Sequence, residues 1–256
     1  MFSPAHLRAP GRDRAILAGS LMALAALAWL TLWLWEGSPY GHYLHHDGVG
    51  GVDGSVVLGA AAFTLGWTLM IVAMMLPSSV PLVVTFGALV ARRARPGRLV
   101  ALLLLGYLLV WAGFGFIAWA TDRAVHAAVD ALPWLAANPQ LILAATLLGA
   151  GLWQFSPLRD RCLDECRSPL GFVMNRWRGE SERREALMMG VAHGAFCVGC
   201  CWSLMLVMFG VGISSLSAML VLGGLTAVEK NLPQGRRLTR PLGVALVLAA
   251  VYAVAG

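Results

Sequence analysis

Charged residues are scarce in this chain, and their scarcity excludes most classes of soluble protein. Only 12% of its 256 residues are charged, whereas 59% are hydrophobic. Soluble domains carry about 25% charged residues, so this composition does not suit a water-soluble globular fold. The net charge of +6 does not indicate nucleic-acid binding, because the basic residues lie between long apolar runs. The composition predicts an all-α, polytopic integral membrane protein that is surrounded by the lipid bilayer.

The sequence also lacks the motifs of common enzyme classes. It has no Ser/His/Asp constellation in a recognisable context, no Gly-rich phosphate loop and no Cys-x-x-Cys-His haem attachment. The segment Pro77-Ser78-Ser79 lacks the glycines that frame a nucleophile elbow. No clear small-residue cleavage site follows the first apolar run, which we interpret as an anchor helix that is retained. Catalysis is therefore not the function that the sequence favours.

About seven apolar stretches are candidates for transmembrane helices of a single integral membrane domain, residues 1–256. A helix needs about 20 apolar residues to cross a hydrocarbon core about 30 Å thick, and the last stretches are short. Pro77 and Pro81 interrupt the tail of the second stretch, which leaves the path of the chain after Pro77 open. The predicted spans are 16–35, 56–76, 99–120, 141–155, 187–209, 217–229 and 242–255, with a loop at 156–184.

The basic residues predict the orientation of these spans. Lys and Arg gather in cytoplasmic loops of membrane proteins. If the N-terminus is cytoplasmic and the spans alternate, every basic residue except Arg123 falls in an inner segment. The sequence therefore predicts a multi-pass protein of the bacterial inner membrane, with its N-terminus and the loop 156–184 in the cytoplasm.

All five cysteines lie between positions 162 and 201, in two groups. The first pair lies in the predicted cytoplasmic loop, and the second group lies in the fifth predicted span. On a helix, the second group falls with three methionines within an arc of about 160°, so these side chains share one face. The shared face consists of Met189, His193, Cys197, Cys200, Cys201, Met205 and Met208.

This pattern predicts a metal site. Thiolate and thioether ligands favour Cu(I), and cysteine together with histidine also suits Zn(II). An ionisable imidazole inside a span is costly unless it has a partner, and three thiols within five residues exceed what packing requires. We expect the loop to fold under the fifth span and to bind copper, with zinc as the next choice. The predicted ligands are Cys162, Cys166, His193, Cys197, Cys200 and Cys201, and the accessory ligands are Met74, Met75, Met205 and Met208.

The same cysteines leave a second hypothesis open, that of a transmembrane thiol–disulfide or electron carrier. The pair Cys197/Cys200 has the spacing of a dithiol motif, and Cys162/Cys166 are its candidate exchange partners. The predicted outer segments contain no thiol that receives the reducing equivalents. Metal handling is therefore the first hypothesis, and dithiol exchange is the alternative.

Two other polar groups have simpler explanations. His42, His45 and His46 lie in the first outer loop, where the neighbouring glycines favour a solvated loop over an external metal site. Glu229 and Lys230 close the sixth predicted span, where snorkelling of the lysine to the membrane interface accounts for its position.

Several segments resemble one family. They are Met74-Met75-Leu76-Pro77-Ser78, Gln154-Phe155-Ser156-Pro157-Leu158, Cys162-x3-Cys166-Arg167-Ser168-Pro169-Leu170-Gly171, His193-Gly194-x2-Cys197-x-Gly199-Cys200-Cys201-Trp202 and Glu229-Lys230-x2-Pro233-x-Gly235. Over residues 66–235 the chain is similar to a bacterial family described as predicted metal-binding integral membrane proteins, a domain of unknown function. The resemblance implies a membrane fold with a metal site. Transport, delivery to an oxidase, sensing and a structural role of the metal remain alternatives.

Overall fold

The computed structural model describes residues 11–37, 55–211 and 216–255, and these ranges are all-α without a β-strand. The predicted His42/His45/His46 loop lies outside the described residues. The helices are α1 Gly11–Glu36, α2 Val56–Met74, α3 Leu76–Val90, α4 Pro96–Ala131, α5 Pro133–Ala136, α6 Gln140–Trp153, α7 Pro157–Arg167, α8 Pro169–Arg176, α9 Glu182–Val211, α10 Leu216–Asn231 and α11 Thr239–Ala255, with a 3₁₀ turn at Gly235–Leu238.

The described residues contain five helices that are long and apolar enough to cross a membrane, or six if α6 and α7 form one bent span. The five lie at Gly11–Glu36, Val56–Met74, Pro96–Ala131, Glu182–Met208 and Gly235–Ala255. The predicted count of seven spans is therefore too high by one or two.

The span predicted at 141–155 is α6, which has 14 residues and is followed by α7 after a 66° bend. The span predicted at 217–229 is α10, which has 16 residues and ends in Glu229, Lys230 and Asn231. At 1.5 Å per residue these helices are about 21 and 24 Å long, short of a hydrocarbon core of about 30 Å.

The chain turns directly after α2. Helix α3 begins at Leu76, so Pro77 lies in its first turn, where the missing N–H of proline leaves no hydrogen bond unmade. Leu82, Val83, Phe86 and Val90 of α3 are buried. The segment after Pro77 is thus a separate helix that packs on the bundle, not a continuation of the second span.

Helices α4 and α9 form the centre of the bundle and cross at glycines. A Cβ atom on Gly190 would overlap the Leu103 carbonyl, and one on Gly106 would overlap the Leu187 carbonyl. Gly194 packs against Val110, whose Cβ would lie 2.9 Å from an added Cβ. Small residues at such positions let two helix backbones approach closely. This close approach holds the central part of α9 against α4.

The predicted loop 156–184 is helical. Ser156 caps α7 by accepting a hydrogen bond from the Leu158 amide at 3.3 Å, and Pro157 occupies the first turn. The buried residues of α7 are Arg159, Cys162 and Leu163, at the i, i+3, i+4 spacing of one helix face. That face packs on α9, so the sequence of α7 directs Cys162 inward.

The start of α9 is fixed by a carboxylate inside a turn. The amides of Arg178, Gly179, Glu180 and Ser181 donate to the Glu185 carboxylate at 2.7–3.0 Å. Gly179 has a φ of 81°, which favours glycine and lets the successive amides point at one anion. The four hydrogen bonds hold the first turn of α9 against the preceding turn.

Candidate functional site

Three of the thiols lie in the interior of α9. Cys197, Cys200 and Cys201 are buried, because i, i+3 and i+4 share a face and this face packs into the core that contains Trp67, Met70 and Trp111. The thiols of Cys200 and Cys201 donate to the Cys197 carbonyl at 3.1 and 2.9 Å. These bonds to the preceding turn hold both sulfur atoms close to that of Cys197.

Helix α7 brings the other two thiols to the same place. The Cys162 side chain lies against Gly199, where an added Cβ would be 2.6 Å from the Cys162 Sγ. Cys166 is half-buried, and it packs against the core group that contains Cys197 and Cys200, with its thiol close enough to interact with both. The five cysteines of two separate segments therefore converge on one cluster.

A lysine and a methionine complete this cluster. The Lys230 Nζ lies 3.0 Å from the Cys197 Sγ, 3.9 Å from the Cys201 Sγ and 3.8 Å from the Met75 Sδ. The Cys201 thiol donates to the Met75 Sδ at 3.8 Å. Lys230 is 5% exposed, so the interpretation of this residue as snorkelling to the interface is wrong. Its ammonium points inward because the sulfur atoms are its nearest acceptors.

An ion pair holds the lysine-bearing end of α10. The Arg159 guanidinium donates to Glu229 at 2.7 Å and to the Thr239 hydroxyl at 2.9 Å. Thr239 in turn donates to the second Glu229 oxygen at 3.1 Å, and Arg167 donates to the Glu229 carbonyl. Glu229 is therefore engaged by α7 and is not the partner of Lys230.

His193 lies one turn before Cys197, beside the cluster. Its Nε2 is 3.1 Å from the Ser79 hydroxyl, and its ring stacks on Tyr107 with the ring centroids 5.5 Å apart. The Tyr107 hydroxyl is 3.4 Å from the Cys197 Sγ, so Tyr107 connects the histidine to the thiols. Within the described part of the chain, the buried Nδ1 has no hydrogen-bond partner. The structure thus pairs Nε2 of this predicted ligand with a serine and leaves Nδ1 unpaired.

The predicted accessory methionines separate into two kinds. Met75 contacts the thiol and ammonium groups directly. Met74 packs against Gly223, where an added Cβ would meet its methyl group at 3.3 Å. Met205 and Met208 are fully buried in the same core as the cysteines, but no sulfur contact places them at the cluster. Met75 is the methionine that the geometry singles out.

The donor set suits a soft monovalent cation. Thiolate and thioether sulfur select Cu(I) over hard ions, and the interior position excludes water. Among the residues that the structure describes, no three His, Cys, Asp or Glu side chains are arranged to hold a metal ion. Binding of a metal ion at this cluster therefore requires adjustment of the side chains around Lys230.

A polar cavity of about 480 Å³ lies beside the half-buried end of the cluster. The residues before and after Cys166 in α7, the facing helix α8 and Phe196 of α9 line it. Its lining consists of Arg161, Asp164, Glu165, Ser168, Gly171, Phe172, Asn175 and Phe196. Cys166 is not among these lining residues, and Glu165 and Asp164 are paired with Arg176 and Arg236.

The sequence patterns pointed to the cysteines, but they missed Tyr107 and gave the wrong environment for Lys230. Tyr107 was not singled out, because its contact with Cys197 joins helices that are distant in sequence. Gly199 was noted only as a position of the family motif, without its contact with Cys162. The sequence pattern assigned Lys230 to the membrane interface, although one feature of the sequence set this residue apart. It is the single lysine of a chain whose other 18 basic residues are arginines.

Comparison with known proteins gives one match. No curated protein and no solved structure matches the chain. Residues 64–253 match a family model, PpoB2, that is described as a copper chaperone. This match agrees with the copper and metal-binding part of the sequence prediction, and the matched range includes all five cysteines, Met75 and Lys230. Since the match covers more than half of the chain, the protein belongs to the PpoB2 copper chaperone family.

Proposed function

We propose that this protein is an integral membrane copper chaperone that binds Cu(I) at the cluster of Cys166, Cys197, Cys200, Cys201 and Met75. One observation carries the proposal. Helices α7 and α9, together with Met75 at the junction of α2 and α3, bring their sulfur atoms into one buried group. Apolar side chains alone could fill this space without burying thiol and ammonium groups. The meeting of sulfur atoms from distant segments therefore favours a role in binding.

Copper suits this set better than zinc for two reasons. A closed zinc site uses four thiolate, imidazole or carboxylate ligands, and the thioether of Met75 is not among them. Soft thiolate and thioether ligands favour Cu(I), which carries one positive charge and therefore needs fewer buried thiolates for neutrality. Zinc remains the ion against which copper is tested.

The membrane setting is part of the proposal. Apolar side chains on the outer faces of the long helices are exposed, including Leu27 at 60%, Ile117 at 61% and Leu248 at 63%. Contiguous apolar faces of this kind are unfavourable in water and suit contact with lipid. These apolar faces support a location in a membrane, which we propose is the bacterial inner membrane. The arginine distribution supports a cytoplasmic N-terminus and a sulfur cluster that is reached from the cytoplasmic side.

The half-buried position of Cys166 supports a path for the ion. Asp164 and Glu165 of the cavity lining are paired with Arg236 and Arg176, and Cys166, whose neighbour in sequence is Glu165, is half-buried whereas Cys197 and Cys200 are buried. Cys166 also contacts Cys197 and Cys200, so the ion passes from the exposed thiol to the buried ones by exchange of one sulfur ligand at a time. Transfer of the same kind in reverse delivers the ion to an acceptor.

The proposal is tested by measuring metal binding to the detergent-purified protein under reducing conditions. We expect about one Cu(I) per chain to withstand competition with a chromophoric Cu(I) chelator, and we expect Cys197→Ser/Cys200→Ser to lose it. Met75→Leu should weaken binding, whereas Met188→Leu should not, because Met188 is an exposed residue of the same helix as the cysteines.

A metal-free wild type after exposure to Cu(I) would contradict the proposal. The contact of Cys166 with Cys197 and Cys200 would then favour the dithiol exchange hypothesis. In that case mass spectrometry after mild oxidation should find a disulfide between Cys166 and Cys197 or Cys200. Zinc retained in preference to copper would instead contradict the choice of ion.

A further inference from the structure

Lys230 places its ammonium group in the buried interior of the protein, away from solvent. It is 5% exposed, and the two oxygens of the neighbouring Glu229 are engaged by Arg159 and Thr239. A buried charge is costly unless it is paired and hydrogen-bonded. The acceptors within reach of Nζ are the sulfur atoms of Cys197, Cys201 and Met75. The Lys230 ammonium is therefore a cation held by these sulfur atoms.

The spacing of the sulfur atoms suits a metal ion as well as an ammonium. The Cys201 Sγ and the Met75 Sδ are 3.8 Å apart. In a tetrahedral site with metal–sulfur bonds of about 2.3 Å, the sulfur atoms are separated by about 3.8 Å. The Lys230 Nζ contacts both of these atoms and the Cys197 Sγ. Nζ lies 3.8–3.9 Å from these two sulfur atoms, so the ammonium faces the sulfur group from one side and not from the position of an ion bonded to both, and it has the same charge as Cu(I).

We propose that the Lys230 ammonium and Cu(I) compete for these sulfur atoms, so that loading of the ion displaces the lysine and its return favours release. This inference rests on the proposed function, because it assumes that Cu(I) binds at the cluster. A chaperone must surrender its cargo, and a resident cation that competes for the same sulfur atoms lowers the free-energy cost of doing so.

The fold provides the lysine with a second position. Lys230 is the penultimate residue of α10, and the residues that follow, Asn231 and Leu232, are exposed. A flexible four-carbon stem at a helix end lets the ammonium reach the interface. Arg159 and Arg167 hold Glu229 in place, so the exchange needs rotation of the lysine side chain and no movement of the helix.

The identity of the residue supports this exchange. The chain uses arginine at all 18 of its other basic positions and lysine at this one. A guanidinium is planar, presents five donors and is suited to fixed bidentate pairing, whereas an ammonium is a compact point charge. An ammonium is therefore the cationic side chain that resembles a monovalent metal ion in shape as well as in charge.

The first experiment compares Cu(I) affinity in Lys230→Leu, Lys230→Arg and wild type, by competition with a chromophoric Cu(I) chelator. Lys230→Leu removes the charge without adding a ligand, and it should bind Cu(I) about tenfold more tightly, as expected if only about a tenth of the wild type is free of the lysine. It should also release Cu(I) to the chelator more slowly. Lys230→Arg keeps the competing charge and should not gain affinity. Weaker binding by a Lys230→Leu variant with a wild-type melting temperature would overturn the proposal, because it would make the lysine a counter-ion of the bound metal.

A second experiment observes the displacement in the wild type. Because the chain has one lysine, acylation of its side chain by a water-soluble amine reagent is read directly from one peptide by mass spectrometry. Lys230 should resist acylation in the metal-free protein and become reactive after Cu(I) is added. Cu(I) binding with unchanged, low reactivity of Lys230 would overturn the displacement alone. A wild type that binds no Cu(I) would overturn the proposed function and this inference together.

Discussion

The Arg159 guanidinium and the Glu229 carboxylate are joined by a 2.7 Å hydrogen bond in the interior of the protein, with side-chain exposures of 0% and 2%. Arg159 belongs to α7, which carries Cys162 and Cys166, and Glu229 precedes Lys230 in α10. This one ion pair therefore fixes two of the elements that surround the sulfur cluster. Its integrity sets the position of the thiols relative to the ammonium.

Removal of one partner of this pair should be strongly destabilising. Arg159→Met leaves the Glu229 charge buried and unpaired, which costs about 3–5 kcal/mol in comparable sites. We expect a large drop in the thermal unfolding midpoint in detergent. The double variant Arg159→Met/Glu229→Leu should recover much of the loss, because no charge is then left without a partner. A double variant as unstable as the single one would show that the hydrogen bonds of Thr239 to the two side chains dominate instead.

The glycine crossing of α4 and α9 should be intolerant of a single methyl group. A Cβ on Gly190 overlaps the Leu103 carbonyl, and backbone atoms cannot move aside as a side chain can. We expect Gly190→Ala to destabilise the protein by about 3 kcal/mol or more. Gly113→Ala in α4 is the matched control, because nothing lies within 4 Å of its Cβ. That substitution should leave stability unchanged or raise it by about 0.5–1 kcal/mol. Equal effects of the two variants on thermal unfolding would contradict the close crossing.

The turn around Glu185 should make stability depend on acidic pH. Four backbone amides donate to the Glu185 carboxylate, and hydrogen bonds to an ionised acceptor are stronger than those to a neutral one. Protonation of this carboxylate in acid should therefore weaken the turn. Glu185→Gln, which removes the charge, should lose about 1 kcal/mol near neutral pH, the size of a helix cap. Unfolding midpoints measured across pH 3–7 should converge for the two proteins at the acid end, and a constant difference would argue against the carboxylate.

The contact of Cys162 with Gly199 should link α7 to the copper site. A methyl group at Gly199 would lie 2.6 Å from the Cys162 Sγ and must push α7 away from α9. We expect Gly199→Ala to weaken Cu(I) binding several-fold, because Cys166 on the same helix moves away from Cys197 and Cys200. Gly224→Ala in α10 has an open Cβ position and serves as the control. Unchanged Cu(I) affinity in Gly199→Ala would contradict a role of α7 in Cu(I) binding.

Much of the helical fold is predictable from composition, since long apolar runs in a chain with few charges form helices. The structure differs from the prediction at the two apolar segments that are too short to cross a membrane as single straight helices. The predicted spans at 141–155 and 217–229 are helices of 14 and 16 residues. Hydropathy alone gives the apolar character of such segments, but their length and the bend after α6 depend on how α7 packs on α9.

The site is partly predictable for a similar reason. Cys197, Cys200 and Cys201 share a helix face by local periodicity, and this face is readable from their spacing. The position of Lys230 is not readable in this way, because its Nζ meets Cys197, Cys201 and Met75 only after α3, α9 and α10 have packed together. A lysine at a helix end has the same local sequence whether it reaches outward or inward. Tertiary contacts decide between the two.

The measurement that most directly tests the account is X-ray absorption spectroscopy at the copper edge of the Cu(I)-loaded protein. The account predicts a Cu(I) edge with a first shell of sulfur, and it predicts loss of this shell in Cys197→Ser/Cys200→Ser and a reduced sulfur count in Met75→Leu. A first shell of nitrogen and oxygen in the wild type, or a sulfur shell that persists in the double cysteine variant, would contradict the claim that this cluster binds the copper.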